Sequence, residues 1–320
     1  MAFVENEGAV SGGTAMASTR LTGYLAPEGH LEDLLAELGE VAEIHGRLVV
    51  AEGPPRPAAW TANIWRNPER LAIASIADGA AQLRARQRNW ALYPHRLHRR
   101  ASLIAERLPH VSAKPLVFPA PAPQAPLGSW TLLDEGTILA SADCTSPFPN
   151  GEARFVEDRE GPPNRAYLKL WEALTLIGRR PGPGDLCLDL GASPGGWSWV
   201  LAKLGSRVIA VDKAPLAPSV TAMPGVEVRQ ASAFSIEPAS LGPVDWLFSD
   251  VICYPTRLLS LVERWIATGL ARNLVCTIKF QGATDHAAAR RFAAIPNSRL
   301  LHLHHNKHEL TWIRLAEAAR

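Results

Sequence analysis

The sequence predicts an α/β protein. A mostly parallel sheet flanked by helices is closed by an antiparallel last strand, and a smaller α/β or ferredoxin-like unit precedes it. Three observations carry this. Beyond residue 151, short apolar runs alternate with segments of helical periodicity, the pattern of successive βαβ units. One run, Leu186 to Leu190, stops at the turn Gly191-Ala192-Ser193-Pro194-Gly195-Gly196, and a helical pattern follows at once. The last two runs, Leu300 to His304 and Leu310 to Ile313, are separated by only about four residues, too few for a parallel crossover.

Size and composition agree. The 320 residues suffice for two domains, and 47% hydrophobic with 20% charged residues is an ordinary soluble composition. No apolar run approaches the ~18 residues of a membrane helix. Residues 1–19 are rich in Gly, Ala and Ser and lack the features of a secretion or transit signal, so a frayed tail and a cytoplasmic protein are expected. Cys144, Cys187, Cys253 and Cys276 show no C-x-x-C spacing, which points to reduced thiols and no metal centre.

Residues 20–114 read as the N-terminal unit. A strand (Leu21 to Leu25) leads to a helix with leucines at 31, 34, 35 and 38, then a strand from Val41 to Val50. One more strand is expected between Trp60 and Ser75, a helix from Ile76 to Trp90, and a basic helix from His95 to Leu108. Arg84, Arg86, Arg88, Arg96, Arg99, Arg100, Arg107 and Lys114 face a single acid, Glu106. Such a bias suits phosphate neutralisation, and RNA contact is the expectation. Residues 115–150 hold a Pro-rich spacer and a hairpin turning at Asp134-Glu135-Gly136, and residues 151–320 form the catalytic unit.

The glycine turn is the first functional signal. Glycines allow close backbone approach, and the helix start favours a polar ligand. Asp212, at the tip of the next strand (Arg207 to Asp212), stands where an acid hydrogen-bonds a ribose. The spacing is not G-x-G-x-x-G, and Pro194 has no N–H for a pyrophosphate, so S-adenosylmethionine fits better than a dinucleotide. Cofactor contacts are expected from Asp189, Gly191, Ala192, Ser193, Pro194, Gly195, Gly196, Trp197, Asp212, Ser232 and Asp250. The helix from Arg165 to Gly178 carries Tyr167, Leu170, Trp171, Leu174 and Ile177 on its apolar face. By periodicity Lys169 lies off that face, a solvated lysine able to pair with Glu172. Asp250 and Lys279 end parallel strands, and Glu309 begins the antiparallel one, so topology brings all three to one edge.

The block Asp-Leu-Gly-Ala-x-Pro-Gly-Gly-Trp resembles the first motif of the FtsJ-type RNA ribose 2'-O-methyltransferases. The segments around Lys169 (Asn-Arg-Ala-Tyr-Leu-Lys-Leu), Asp250 (Ser-Asp), Lys279 (Ile-Lys-Phe-Gln-Gly) and Glu309 (His-Glu-Leu-Thr) resemble that family's Lys-Asp-Lys-Glu tetrad, in the same order. The likeness runs from about Pro147 to Leu315; the N-terminal extension is loosely similar to the RlmM-type enzymes, which methylate a cytidine ribose of large-subunit rRNA. It implies a Rossmann-like class I methyltransferase sheet, S-adenosylmethionine as cofactor, and 23S rRNA or a pre-ribosomal particle as partner. It further implies Lys169, Asp250, Lys279 and Glu309 as the catalytic set, with Lys279 nearest the 2'-hydroxyl. Ser232 stands where the family usually has an acid against the adenine. Two other classes stay open from sequence: a silent RNA-binding or ribosome-assembly scaffold, and a small-molecule methyltransferase.

Overall fold

The computed structural model describes residues 20–317, so the tail expected at residues 1–19 lies outside the described residues. The N-terminal half contains β1 (Leu21–Leu25), α1 (Leu31–Leu38), β2 (Glu43–His45), β3 (Leu48–Glu52), β4 (Asn63–Arg66), β5 (Glu69–Ala72), α2 (Ile76–Arg86), β6 (Trp90–Leu92), α3 (His98–Ala105), β7 (Gly128–Asp134), β8 (Thr137–Ser141) and β9 (Asp143–Cys144). These strands form two sheets. One is antiparallel, in the order β2-β3-β1-β4-β9; the other runs β5-β8-β7-β6, and α2 and α3 pack on it.

Three expectations change here. The apolar run from Val41 to Val50 is a hairpin, because Gly46 adopts φ 62° and turns the chain between β2 and β3. Two strands, not one, lie between Trp60 and Ser75. The helix expected to reach Trp90 ends at Arg86, where Trp90 folds back to donate its indole N–H to the carbonyls of Leu83 and Gln87 and joins β7 as a strand. The hairpin at Glu135-Gly136 forms as expected, as β7 and β8, and is paired into the second sheet by β5 and β6. The Pro-rich segment is extended but docked. Leu116 bridges to Phe155, and Phe118 stacks on Trp171 at 4.8 Å.

The second half contains α4 (Tyr167–Ile177), β10 (Leu186–Leu190), α5 (Gly196–Lys203), β11 (Arg207–Asp212), α6 (Pro218–Thr221), β12 (Val226–Gln230), α7 (Pro238–Leu241), β13 (Val244–Ser249), α8 (Pro255–Thr268), β14 (Ala271–Lys279), α9 (His286–Ala293), β15 (Ser298–Leu301) and β16 (Glu309–Arg314). The seven strands run β12-β11-β10-β13-β14-β16-β15, with β16 antiparallel to both neighbours, as the sequence predicts. The link before β16 is longer than expected, residues 302–308, because β15 stops at Leu301. Strand order reverses between β10 and β13, and crevices at such points bind ligands in open α/β sheets. The glycine turn leaves β10 there and Asp250 leaves β13. The two halves share one apolar core: Tyr24, Leu34, Val49 and Trp60 belong with Val262, Trp265, Phe292 and Trp312.

Candidate functional site

The glycine turn is shaped by its own neighbours. Gly191 has φ 81°, and a Cβ there would stand 2.7 Å from the Cα of Val251; a side chain is excluded on both counts. Asp212 accepts hydrogen bonds from the backbone N–H of Ser193 (3.0 Å) and Ala214 (2.9 Å). It thus braces the turn, and each oxygen keeps a further lone pair. Ser193 Oγ donates to the Pro215 carbonyl at 2.9 Å, and the Pro194 carbonyl accepts from Ala217 N–H at 2.9 Å. Ala192 and Gly196 are buried residues of the turn, and Gly195, with φ 116°, leads into α5.

Asp189 is wholly buried. Its Oδ2 accepts from Ser198 Oγ at 2.7 Å, while its Oδ1 has no partner. Burial pushes its carboxyl up to about 7. Two other residues expected at the ligand make contacts within the protein. The Trp197 indole is buried, donates to the Ala166 carbonyl at 2.9 Å and packs edge-on against Phe248. It ties α5 to the start of α4. Ser232 Oγ accepts from Phe234 N–H at 3.3 Å, and the Arg257 guanidinium lies 3.8 Å above the Phe234 ring.

The four ionisable groups meet. Lys169 Nζ lies 2.7 Å from Asp250 Oδ1 and 3.1 Å from Glu309 Oε1. Lys279 Nζ donates to the Asp250 carbonyl at 2.6 Å and lies 3.2 Å from the same Oδ1. Strand register explains part of this, since Lys279 and Glu309 are direct partners across β14 and β16. The solvated Lys169 expected from periodicity is overturned. Every residue from Tyr167 to Thr175 is buried, because α4 is covered on several sides at once. Burial opposes the Lys169 charge, but Asp250 and Glu309 outweigh it and raise its pKa above the usual lysine value.

Nor does Lys169 pair with Glu172. That carboxylate, 2% exposed, accepts from the backbone N–H of His304 (2.7 Å) and His305 (3.0 Å) and contacts His305 Nδ1 at 2.8 Å. Glu172 therefore anchors the link that delivers Glu309. Sequence reasoning missed this role, and only its i+3 spacing from Lys169 hinted at a functional place. Beside the tetrad opens a cleft of about 850 Å³, whose wall includes Phe155, Arg154, Arg165, His304, His305 and Lys307. Part of the basic stretch has structural duties. Arg84 and Arg96 donate to the carbonyls of Arg107 and Leu133, and Arg86 pairs with Glu69. Lys114 and Arg154 line a neighbouring cavity together. Among the described residues no group of three His, Cys, Asp or Glu is placed to hold a metal. His302 is pushed down to about 4 by burial and bonds the Lys307 carbonyl.

Residues 162–285 match the FtsJ-like methyltransferase family. Among curated relatives, "Ribosomal RNA large subunit methyltransferase M" of Aromatoleum aromaticum is 37% identical over 188 residues, covering 54% of this chain and 50% of the relative. The protein of that name from Halorhodospira halophila is 39% identical over 135 residues, covering 41% and 39%. The one from Azotobacter vinelandii is 38% identical over 159 residues, covering 48% and 44%. The chain thus spans half or less of the length of these relatives.

Removing Lys169 would leave Asp250 and Glu309 buried with one amine fewer. Lys169→Met is expected to lower the unfolding free energy by roughly 3 kcal/mol at neutral pH, the usual cost of a broken buried ion pair. Because the folded pKa of Lys169 is raised, that stabilisation is full below the unfolded lysine value and fades as pH climbs through the folded one. Denaturant titrations at neutral pH check this, and equal midpoints for variant and wild type would refute the ion-pair account.

Proposed function

On the premise that residues 162–285 are an FtsJ-like methyltransferase domain, we propose that this chain transfers a methyl group from S-adenosylmethionine to a ribose 2'-hydroxyl of large-subunit rRNA. The observation that carries the reading is the interlocked set Lys169, Asp250, Lys279 and Glu309 beside the glycine turn. The names of the relatives support RNA as substrate, and so does a cleft rimmed by Arg154, Arg165 and Lys307, cations suited to phosphates.

The residues at the switch point suit the cofactor. Asp189 Oδ1, buried without a partner, calls for a donor or a cation, and S-adenosylmethionine offers an ammonium group. Asp212 has lone pairs free for a ribose, and the turn around Pro194 has no call for a phosphate. When bound, the cofactor supplies an electrophilic methyl on a sulfonium and leaves as a neutral thioether. Everything else falls to the protein. Lys169 stays protonated, so it serves as the fixed cation that orients Asp250 and Glu309. Lys279 is the more open of the two amines and faces the cleft. It is placed to take up the proton of the 2'-hydroxyl as that oxygen is methylated. Asp250, bonded through side chain and carbonyl, fixes where that amine points. Alignment of oxygen and methyl supplies much of the acceleration.

Incubating the full chain with radiolabelled S-adenosylmethionine and unmodified large-subunit rRNA should place label in a 2'-O-methylated nucleoside after digestion. Lys279→Ala should lower the rate by about 100-fold or more. RNA binding without label would support the silent scaffold, and label only in small molecules the third class; either overturns the proposal.

A second expectation concerns pH. Below about 7 the buried Asp189 carries a proton, whereas a cation beside it favours the carboxylate. Cofactor affinity should therefore rise as pH increases through that value, and binding near pH ~6 should release a proton. Calorimetry in buffers of different ionisation enthalpy measures both. Asp189→Asn should flatten the dependence, and an equally steep slope in that variant would count against the contact.

A further inference from the structure

Strands β14 and β16 end at the paired residues Lys279 and Glu309, and the neighbouring positions are Phe280 and His308. A single long backbone contact, Phe280 N–H to the His308 carbonyl at 3.3 Å, continues the pairing. What packs there comes from the N-terminal half. The Trp60 ring lies 5.9 Å from Phe280, 5.8 Å from His308 and 5.3 Å from His302, centroid to centroid. His30 stacks behind it at 4.7 Å and reaches His302 and His308 as well.

Trp60 is itself held rigidly. The Glu37 carboxylate on α1 accepts the backbone N–H of Ala59 (2.7 Å) and Trp60 (2.9 Å), and the Ala59 carbonyl accepts from His302 N–H at 2.8 Å. Asp33, also on α1, bonds Thr284, whose hydroxyl lies 2.7 Å from His308 Nε2. Trp60 is 1% exposed, yet its indole N–H has no partner. An orphaned donor at full burial is a cost, so the ring's bulk and contacts must be what the position requires.

We propose that Trp60, backed by His30, is a positioning residue for methyl transfer: the N-terminal unit holds the strand ends that carry Lys279 and Glu309. This rests on the functional reading above and goes beyond it. A unit that only tethers RNA would influence substrate affinity, whereas a brace behind the tetrad influences turnover. Misplacement of reacting groups by about 1 Å, from a change remote from the chemistry, can cost on the order of 100-fold in rate.

The test uses the full chain with unmodified large-subunit rRNA. Trp60→Ala should lower kcat by about tenfold or more while KM for RNA and Kd for S-adenosylmethionine stay within about twofold. Trp60→Phe keeps an aromatic ring against Phe280 and His308, and should restore kcat to within about threefold of wild type. An unchanged kcat in Trp60→Ala, a loss confined to KM, or a Phe variant as impaired as the Ala variant would each overturn the proposal. Should Trp60→Ala show no cooperative thermal transition, His30→Ala takes its place; it must lower kcat with KM unchanged, and a normal kcat is the contrary result. A wild-type chain that transfers no methyl to ribose removes the functional reading and this inference together. An active wild type with an unimpaired Trp60→Ala removes the inference alone.

Discussion

The structure of the site depends on one buried ammonium. Lys169 lies between the carboxylates of Asp250 and Glu309, and Asp250 is shared with Lys279. Charges so far from water are tolerated when each has an opposite partner and its hydrogen bonds are made. Two amines and two carboxylates meet that condition as a set: without Lys169, Glu309 loses its cation, and without Asp250, Lys279 loses its carboxylate. The same contacts join α4, the end of β13, β14 and β16 around the strand edge. Four segments distant in sequence are thereby tied at the place where the sheet changes direction.

Helix α4 serves that site twice. Lys169 faces the tetrad, and Glu172, three residues on, holds the two histidine amides in the link before β16. Glu309 follows that link directly, so one helix sets both the partner of Glu309 and the path of the backbone leading to it. From the other side Ala59 and Trp60 grip His302. The link is thus held from two directions by parts of the chain more than a hundred residues apart. Its length alone would allow much more freedom.

The glycine turn shows a comparable economy. Asp212, read in sequence as a ligand for a ribose, already braces the turn through Ser193 and Ala214. Both duties are compatible, since a carboxylate accepts more than two hydrogen bonds. Asp189 differs from it. It is buried, half satisfied by Ser198 and raised in pKa by burial, the environment in which a cationic ligand has most influence on protonation.

By itself the sequence determined the elements and their order. The runs at 186–190, 207–212, 244–249 and 273–279 are apolar enough to be parallel strands wherever they are placed, and the Gly-Pro turn ends the first of them by local chemistry. The edge shared by Asp250, Lys279 and Glu309 followed from strand direction, a topological matter that periodicity can reach. Local rules also misled. They sent the second helix on to Trp90, whose indole instead caps that helix from a strand, and they made one strand of a hairpin that turns at Gly46. Lys169 was the most instructive failure. Helical periodicity assigns a side chain to water or core from its own helix alone, but the cover over α4 comes from Phe118, Trp199 and the link at 302–308. Only tertiary structure decided that this lysine is buried, that Glu172 holds backbone rather than Lys169, and that Trp60 stands behind the strand edge that carries Lys279 and Glu309. Each depends on contacts between remote segments, for which spacing along the chain carries no signal.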